Sequence, residues 1–263
     1  MTEYSALTAL AIQAALRAGS ELKKGFEGAL SIEHKSGKHN LVTQYDLISE
    51  EIITSMIEKT FPSHSILAEE GGEKNNHDEI TWIIDPLDGT VNFAHGIPIF
   101  SISIAASIKE DILCGIVYQP LLSELFIAEK GKGATLNGRP LRVSSQKNFE
   151  EAFLATGFPY HVDTNPLGCI DHICAGLHLG LPIRRLGSAA LDLCYTAAGR
   201  YDGYFEASLK PWDLAAGKLI VQEAGGNVST YDGDKRRLYS DGSVLATNGH
   251  LHSRIIQFLK DRK

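Results

Sequence analysis

The stretch Trp82-Ile-Ile-Asp85-Pro-Leu-Asp88-Gly-Thr-Val-Asn92 constrains the fold more than any other part of the chain. A short apolar run ends in two carboxylates three residues apart, with a proline between them and Gly-Thr directly after. Such a run is typical of a buried strand, which places both acids at the strand end, where an open sheet binds ligands. Two aspartates this close repel each other unless a cation lies between them or one is protonated. We therefore expect a divalent metal site here.

The size and charge of the chain favour a compact globular protein. Its 263 residues are 43% hydrophobic and 22% charged, which is enough to bury a sizeable core. The net charge of −7 argues against a general nucleic-acid or membrane-surface binder. No apolar run approaches the ~20 residues of a membrane span, and the N-terminus lacks the basic region of a secretory signal. We predict a cytoplasmic protein that binds neither nucleic acid nor membranes directly.

The cysteines indicate a reducing environment rather than a disulfide framework. The chain has four of them, without C-x-x-C spacing: Cys114, Cys169, Cys174 and Cys194. We predict four free, buried thiols. Two of the cysteines lie near His172 and His178 in sequence, but this spacing matches no zinc-finger pattern, so structural zinc is the weaker interpretation.

The apolar periodicity predicts helices and short strands along the whole chain. A first amphipathic helix, 3–27, is followed by a polar stretch, 33–40, which we interpret as a mobile loop or hairpin over a site. No repeat or linker interrupts the pattern, so we predict one compact unit, 1–263, with halves 1–145 and 146–263. The other predicted helices are 46–60, 164–180, 188–199, 214–224 and 249–261. The predicted strands are 65–68, 82–84, 99–107, 112–118, 124–128, 153–156, 182–186 and 203–206.

Further acids lie where predicted strands end or predicted helices begin: Asp46, Glu69, Glu70, Glu206 and Asp213. Each has a structural interpretation. The aspartates at helix starts could be N-caps, the glutamate pair a solvated loop, and the aspartates on either side of Pro86 turn residues. Taken together, however, acids at several strand ends and helix starts can converge at one edge of a sheet.

Oxygen ligands in such a cluster suit Mg²⁺. Two metal ions ~4 Å apart can activate a water molecule and clamp a phosphoryl oxygen. Asp85 can bridge two ions, Asp88 can serve one of them, and the proline lets the Leu87 carbonyl point inward as a further ligand. A helical turn that begins at Gly89-Thr90 offers N–H groups to a phosphate, and the Thr90 hydroxyl can orient an attacking water.

Two segments resemble the signature motifs of the inositol monophosphatase family. The first is residues 85–92, and the second is Trp212-Asp-Leu-Ala-Ala-Gly-Lys-Leu-Ile-Val-Gln-Glu-Ala-Gly-Gly226. The resemblance covers essentially the whole chain, and it implies an α/β fold: a layered α-β-α-β-α sandwich with mixed sheets, like that of fructose-1,6-bisphosphatase. Supporting matches are 41–46, 68–71, 131–134 and 186–193.

The family resemblance implies a lithium-sensitive, Mg²⁺-dependent phosphomonoesterase with two to three metal ions per active site. Glu69, Asp85 and the Leu87 carbonyl would hold the first ion. Asp85, Asp88 and Asp213 would hold the second, and Glu69 would help to hold a third through water.

The resemblance also implies roles in positioning water and substrate. Thr90, paired with Asp46 or Glu69, would orient the nucleophilic water, and the N–H groups of Gly89 and Thr90 would bind the phosphate. Glu206 would bind substrate hydroxyls. Further substrate-binding residues would be Gly187, Ser188, Ala189, Asp213 and Arg185.

Lys35 lies in the loop that the family resemblance implies to close over the metals, and a homodimer is implied as well. The segments 184–188 and 209–212 resemble the bacterial branch, which includes enzymes for several sugar and polyol phosphates and relatives specialised for histidinol phosphate. Our main hypothesis is hydrolysis of myo-inositol 1-phosphate or a close analogue by a metal-activated water.

Several alternatives remain open. The substrate could instead be fructose 1,6-bisphosphate, histidinol phosphate or a 3′-phosphoadenosine compound. Arg184 and Arg185 are candidates for binding a second phosphate, although they could equally be structural ion-pair partners. A different class of function is an interaction protein with a transcription-factor partner in antitermination, in which catalysis is secondary.

Overall fold

A computed structural model describes residues 5–26, 28, 32–34, 41–76, 78–240 and 242–261. The helices of the described residues are α1 (Ala6–Phe26), α2 (Gln44–Thr60), α3 (Thr90–Ala94), α4 (Cys169–His178), α5 (Ala189–Ala197), α6 (Pro211–Glu223) and α7 (His252–Lys260). The first ten strands are β1 (Ile32–His34), β2 (Leu41–Thr43), β3 (Ser65–Ala68), β4 (Gly72–Lys74), β5 (Ile80–Asp88), β6 (Ser101–Ile108), β7 (Asp111–Gln119), β8 (Glu124–Glu129), β9 (Gly133–Leu136) and β10 (Arg139–Pro140). The others are β11 (Leu154–Thr156), β12 (Ile183–Arg184), β13 (Gly203–Ala207), β14 (Asn227–Ser229) and β15 (Ser243–Thr247).

The strands form two mixed sheets and one hairpin. The first sheet has eight strands in the order β10-β9-β8-β7-β6-β5-β3-β4, and only its β3–β5 pair is parallel. The second sheet has five strands in the order β12-β11-β13-β15-β14, with β11 parallel to both of its neighbours. The β1–β2 pair is an antiparallel hairpin. Its connection, residues 35–40 with Lys35, lies outside the described residues.

The helices and sheets alternate in five layers. Helices α1 and α2 pack on the outer face of the first sheet, α5 and α6 lie between the two sheets, and α4 and α7 cover the outer face of the second sheet. This arrangement confirms the predicted layered α-β-α-β-α sandwich with mixed sheets. The division of the chain into halves near residue 145 stays a prediction.

Small residues allow α6 to approach both the first sheet and its neighbouring helix α5 closely. A Cβ atom on Gly115 of β7 would lie 2.8 Å from the Cα of Ala216 in α6. A Cβ atom on Gly217 would lie 2.6 Å from a side-chain carbon of Leu193 in α5. Because these neighbours are themselves part of the buried core, there is no room for even one extra methyl group.

Several element boundaries differ from the sequence-based predictions, and some short strands were not predicted. Strand β5 extends to Asp88, whereas the prediction ended it at residue 84. Helix α2 begins at Gln44, whereas the prediction began it at residue 46, and its buried face contains Ser49 and Glu50. Helix α4 is shorter than predicted, because short 3₁₀ turns occupy 162–168. The prediction missed β4, β9, β14 and β15, as well as the short β10. Strands β1 and β2 form a hairpin, which was one of the two interpretations of the polar stretch that begins at residue 33.

The cysteine prediction is wrong at one position. Cys114, Cys169 and Cys194 are buried free thiols, whereas Cys174 is exposed on the outer side of α4. Because Cys169 is buried and Cys174 is exposed, this Cys/His segment does not bring its side chains together at one zinc site. Among the described residues, no three His, Cys, Asp or Glu side chains form a group ready to hold a metal ion. None of the described helices is long and apolar enough to cross a membrane.

We predict that Gly115→Ala destabilises the protein by about 1–3 kcal/mol, because overpacking at the contact with Ala216 forces the backbones apart. Urea unfolding followed by circular dichroism measures the change. The control is Gly28→Ala, since a Cβ atom on the exposed Gly28 would meet nothing closer than 3.4 Å. Equal unfolding midpoints for the two variants would contradict the close packing of α6 on β7.

Candidate metal and phosphate site

An irregularity at the end of β5 brings two aspartates into one cluster. The register with β6 shifts between Asp85 and Asp88, so the side chains need not alternate as in a regular strand. The Leu87 N–H donates to Asp85 Oδ1 at 3.0 Å, and Ser49 Oγ of α2 donates to the Pro86 carbonyl at 2.7 Å. The bend that carries both acids is therefore fixed from inside the strand and from a neighbouring helix.

Helix α2 holds Asp46 against the Thr90 hydroxyl. Thr43, not Asp46, is the N-cap of α2, so the N-cap interpretation of Asp46 is wrong. Asp46 is the third residue of the helix, and its Oδ2 accepts hydrogen bonds from the Thr43 N–H (2.8 Å) and hydroxyl (2.6 Å). Its Oδ1 lies 2.9 Å from Thr90 Oγ1, which is also 2.9 Å from the Leu87 carbonyl. The single hydroxyl hydrogen can serve only one of these acceptors at a time.

Glu50 is a site residue that sequence reasoning missed. Its buried carboxylate accepts the N–H groups of Glu70 (3.0 Å) and Gly71 (2.6 Å), and so fixes the turn that carries Glu69. Glu69 itself is half-buried, and its N–H donates to the Ile84 carbonyl at 3.1 Å. The available signal was spacing: Glu50 lies four residues after Asp46, and therefore on the same face of α2.

Asp88 joins the first sheet to α5. Its carboxylate accepts hydrogen bonds from Ser188 Oγ (2.7 Å) and from the N–H groups of Ala190 (2.8 Å) and Ala189 (3.3 Å). These donors form the N-terminus of α5, where free N–H groups and the helix dipole favour an anion. Burial raises the pKa of Asp88 to about 6, although the hydrogen bonds oppose this shift.

Asp213 approaches the cluster from the first turn of α6. It is the third residue of that helix, so its interpretation as an N-cap is wrong too, and its Oδ2 accepts the Lys210 N–H at 2.8 Å. The preceding Trp212 carbonyl accepts a hydrogen bond from Ser103 Oγ of β6 at 3.1 Å. This bond ties the start of α6 to the strand beside β5.

Mutual repulsion among four carboxylates characterises the site. Burial raises the pKa of Asp85 well above its ordinary value, and the charges of Glu69, Asp88 and Asp213 add to the shift. Burial raises the pKa of Asp213 in the same way, with further contributions from Asp88 and Glu69. The cluster is thus chemically suited to a hard cation, but the described carboxylates are not gathered as a ready coordination sphere.

Two glycines let the segments around the site approach each other. Gly89 has φ +96°, and a Cβ atom there would lie 2.9 Å from the Ile99 carbonyl and 3.3 Å from the Gly187 carbonyl. Gly187 has φ +87°, and a Cβ atom on it would lie 3.2 Å from Nη1 of Arg185. The Asn92 side chain donates to the carbonyls of Ile99 and of the residue before Gly187, both at 2.8 Å.

Glu206 of β13 is close enough to Asp88 for the two charges to interact. Burial raises the pKa of Glu206 to about 7, the charge of Asp88 raises it, and the exposed Arg185 lowers it. Tyr204 OH donates to Glu206 Oε2. Burial also raises the pKa of Asp192, with contributions from Glu206 and Asp88, and its buried Oδ1 has no hydrogen-bond partner in the described part of the chain.

The predicted site residues therefore fall into three groups. The guanidinium of Arg184 covers the Phe153 ring, 5.0 Å from the ring centre. Lys35 lies outside the described residues. The residues linked by hydrogen bonds, close backbone approach or mutual electrostatic shifts are Asp46, Glu69, Asp85, Leu87, Asp88, Gly89, Thr90, Arg185, Gly187, Ser188, Ala189, Glu206 and Asp213. Their functional roles stay predictions.

Comparisons with known proteins agree with this arrangement. A sequence model of the inositol monophosphatase family matches residues 3–263. An inositol-1-monophosphatase of Synechocystis is 43% identical over 255 residues, covering 95% of this chain and 87% of the relative. Nus factor SuhB of Escherichia coli K12 is 40% identical over 260 residues, with coverages of 96% and 95%.

The crystal structure of the extragenic suppressor protein suhB from Bartonella henselae superposes with a TM-score of 0.92 at 38% identity. The match covers 98% of this chain and 99% of that one. Because both the sequence match and the structural match extend over essentially the whole length, they do not depend on a single motif. The chain belongs to the inositol monophosphatase family.

Proposed function

We propose that the protein is a Mg²⁺-dependent phosphomonoesterase that hydrolyses myo-inositol 1-phosphate or a related small polyol or sugar phosphate. The observation that carries this proposal is the buried carboxylate cluster beside the hydroxyl of Thr90. A cluster whose pKa values are raised by burial and by mutual repulsion is unfavourable by itself, and its cost is offset when the carboxylates serve a cation.

The donor set fits Mg²⁺, because all of the proposed ligand atoms are oxygens. Glu69, Asp85 and the Leu87 carbonyl would hold one ion, while Asp85, Asp88 and Asp213 would hold a second. Glu69 would contribute to a third ion through water, which gives two to three ions per site. Bound Mg²⁺ would supply charge neutralisation for the phosphoryl oxygens and would acidify water.

The residues of the chain would orient the reactants. Asp46 accepts the hydroxyl hydrogen of Thr90, which leaves the lone pairs of that oxygen to accept a hydrogen bond from the attacking water. Glu69 is the alternative partner for that water. The N–H groups of Gly89 and Thr90 would bind the phosphate. Glu206 would accept hydrogen bonds from hydroxyl groups of the alcohol part.

The charges around the proposed alcohol-binding side favour a single phosphate. Asp88, Asp192 and Glu206 influence one another electrostatically there, and Arg185 is the cation that partly offsets them. A second phosphate beside these acids would be repelled, so a fructose bisphosphate or a 3′-phosphoadenosine compound fits less well than a monoester. Histidinol phosphate, whose alcohol part carries a positive charge, is the principal alternative substrate.

A second candidate function is association with transcription antitermination factors. It is favoured by the similarity to a protein named Nus factor SuhB, at 40% identity over nearly the whole chain. Co-purification from the host with and without the Asp213→Asn substitution would test it. Retained antitermination factors with the substituted protein would support a role separate from catalysis, whereas recovery of the protein alone would reject it. We propose in addition that the protein acts in the cytoplasm as a homodimer.

The substrate proposal is tested by measuring phosphate release from a panel of esters. The panel contains myo-inositol 1-phosphate, histidinol phosphate, fructose 1,6-bisphosphate and a 3′-phosphoadenosine compound, each with a Mg²⁺ titration and with added Li⁺. We expect Mg²⁺-dependent release that Li⁺ inhibits, and the highest kcat/KM for the inositol ester. No Mg²⁺-dependent release from any ester would reject the enzymatic proposal.

We predict that Thr90→Val lowers kcat by about 10²–10³-fold, because valine keeps the shape of threonine but lacks the hydroxyl that orients water. Thr90→Ser is the matched control, since it keeps the hydroxyl and should retain most of the activity. Both variants are assayed at saturating Mg²⁺, so that a change in metal affinity is not mistaken for a change in turnover. Equal activity of the valine and serine variants would show that the hydroxyl has no role.

We predict that Asp213→Asn removes most of the activity even at saturating Mg²⁺, because it deletes a charged ligand while it keeps the size of the side chain. The loss should be accompanied by a higher Mg²⁺ concentration for half-maximal rate. Near wild-type turnover at saturating Mg²⁺ would mean that Asp213 is not a metal ligand.

We predict that the protein in EDTA loses thermal stability between pH 5 and pH 8. The pKa of Glu206 rises from 4.5 to about 7 on folding, so its stabilising contribution is present below pH 4.5 and is lost as pH rises through 7. A shift of this size corresponds to about 3 kcal/mol. Glu206→Gln should therefore flatten the decline in Tm with pH. The same slope in the wild type and this variant would contradict the shifted pKa of Glu206.

A further inference from the structure

We propose that Tyr204 and Gly157 are positioning residues that fix one orientation of the Glu206 carboxylate, and that they thereby make the site selective for phosphate esters whose alcohol part carries hydroxyl groups. This inference rests on the proposed phosphomonoesterase function and names how the same site would distinguish its substrates.

Tyr204 is a rigid hydrogen-bond donor to Glu206. The two residues are two positions apart on β13, so their side chains lie on the same face of the strand. Tyr204 is completely buried in the core between the two sheets, and its hydroxyl donates to Glu206 Oε2. Because the ring cannot move without disturbing that core, the hydroxyl marks a fixed position for one oxygen of the carboxylate.

Gly157 provides the space that the same carboxylate occupies. It follows β11, which pairs in parallel with β13 and aligns Thr156 with Phe205. The Thr156 hydroxyl also donates to the Phe205 carbonyl at 2.7 Å, which holds the two strands in this register. A Cβ atom on Gly157 would lie 1.9 Å from Glu206 Oε2 and 2.5 Å from Oε1. The space above Gly157 is thus filled by the Glu206 carboxylate itself.

The obstacle to a side chain at residue 157 is Glu206 and not the backbone. Gly157 does not have the positive φ that disfavours other residues, and the three atoms that a Cβ atom on it would approach most closely all belong to the Glu206 carboxylate. Since that group is the end of a flexible side chain, an alanine at this position can be accommodated if Glu206 turns away. Gly157→Ala should therefore give a folded protein with a displaced carboxylate.

Together the two contacts fix how the Glu206 carboxylate presents its oxygens to a substrate. Oε2 already accepts a hydrogen bond from Tyr204, so Oε1 has the greater remaining capacity to accept one from a hydroxyl of the alcohol part. Glu206 is 9% exposed, whereas Tyr204 beside it is completely buried. A carboxylate held in one orientation discriminates between hydroxyl arrangements, whereas one free to rotate would adapt to many.

The first test replaces only the hydroxyl of Tyr204. In Tyr204→Phe, we expect kcat/KM for myo-inositol 1-phosphate to fall about 10-fold, mainly through a higher KM, because the hydrogen bond to a charged acceptor is lost. For phenyl phosphate, which has no hydroxyl on its alcohol part, kcat/KM should change less than about twofold. Equal losses for the two esters would overturn the inference, because a general structural defect affects both.

Tyr231→Phe is the matched control. Tyr231 is also buried, but within the described residues its hydroxyl has no hydrogen-bond partner, so removing it should leave both substrates unaffected. If this variant showed the same selective loss as Tyr204→Phe, the effect would come from removing any buried tyrosine hydroxyl and not from Glu206.

The second test is a double-mutant cycle between Gly157 and Glu206. Gly157→Ala should lower kcat/KM for myo-inositol 1-phosphate about 10-fold in the wild type, but by less than about twofold in the Glu206→Ala background, where no carboxylate remains to be displaced. Equal effects in both backgrounds would overturn the role of Gly157. If no variant and not even the wild type hydrolyses either ester with Mg²⁺, the proposed function itself fails, which is a distinct result.

Discussion

The rest of the site depends on the hydrogen bonds that the buried carboxylate of Asp88 accepts. This carboxylate belongs to a strand of the first sheet, yet the donors Ser188, Ala189 and Ala190 belong to the first turn of α5 or its cap. A buried carboxylate without such donors would be strongly destabilising, so the hydrogen bonds set the position of α5 relative to β5. The second sheet packs on α5. The hydrogen bonds of Asp88 therefore also help to set the position of Glu206, which belongs to that sheet.

The acids of the cluster differ in how many of their oxygens the protein already uses. Asp88 accepts three hydrogen bonds, whereas the bonds identified to Asp85 and Asp213 each come from one backbone N–H, of Leu87 and Lys210 respectively. Asp85 and Asp213 also have the stronger upward pKa shifts. The two carboxylates with the fewest identified hydrogen bonds, Asp85 and Asp213, are both proposed metal ligands. These carboxylates lower the stability of the protein without metal, and a bound cation would restore that stability.

Local sequence signals predicted the part of the site that lies within a few residues of the 85–92 motif. They identified the strand before Asp85 and the helical turn after Gly89, because the apolar run and the Gly-Thr dipeptide determine the backbone conformation of their own segment. They did not predict that Tyr204 and Gly157 meet at Glu206, since this contact depends on the pairing of β11 with β13. Strands that follow α6 were missed for a related reason: β14 and β15 are short, and their pairing within the second sheet is what defines them.

Helix α2 carries a spacing signal from which further long-range contacts could have been predicted. Asp46, Ser49 and Glu50 are spaced three and four residues apart, so they share one face, and all three are buried. Each holds a different part of the site: Asp46 the Thr90 hydroxyl, Ser49 the Pro86 carbonyl, and Glu50 the turn after Glu69. An amphipathic helix needs only its apolar stripe to pack. Polar residues that interrupt a buried face at helical spacing therefore indicate hydrogen-bonding partners elsewhere in the chain, and here those partners all belong to the proposed active site.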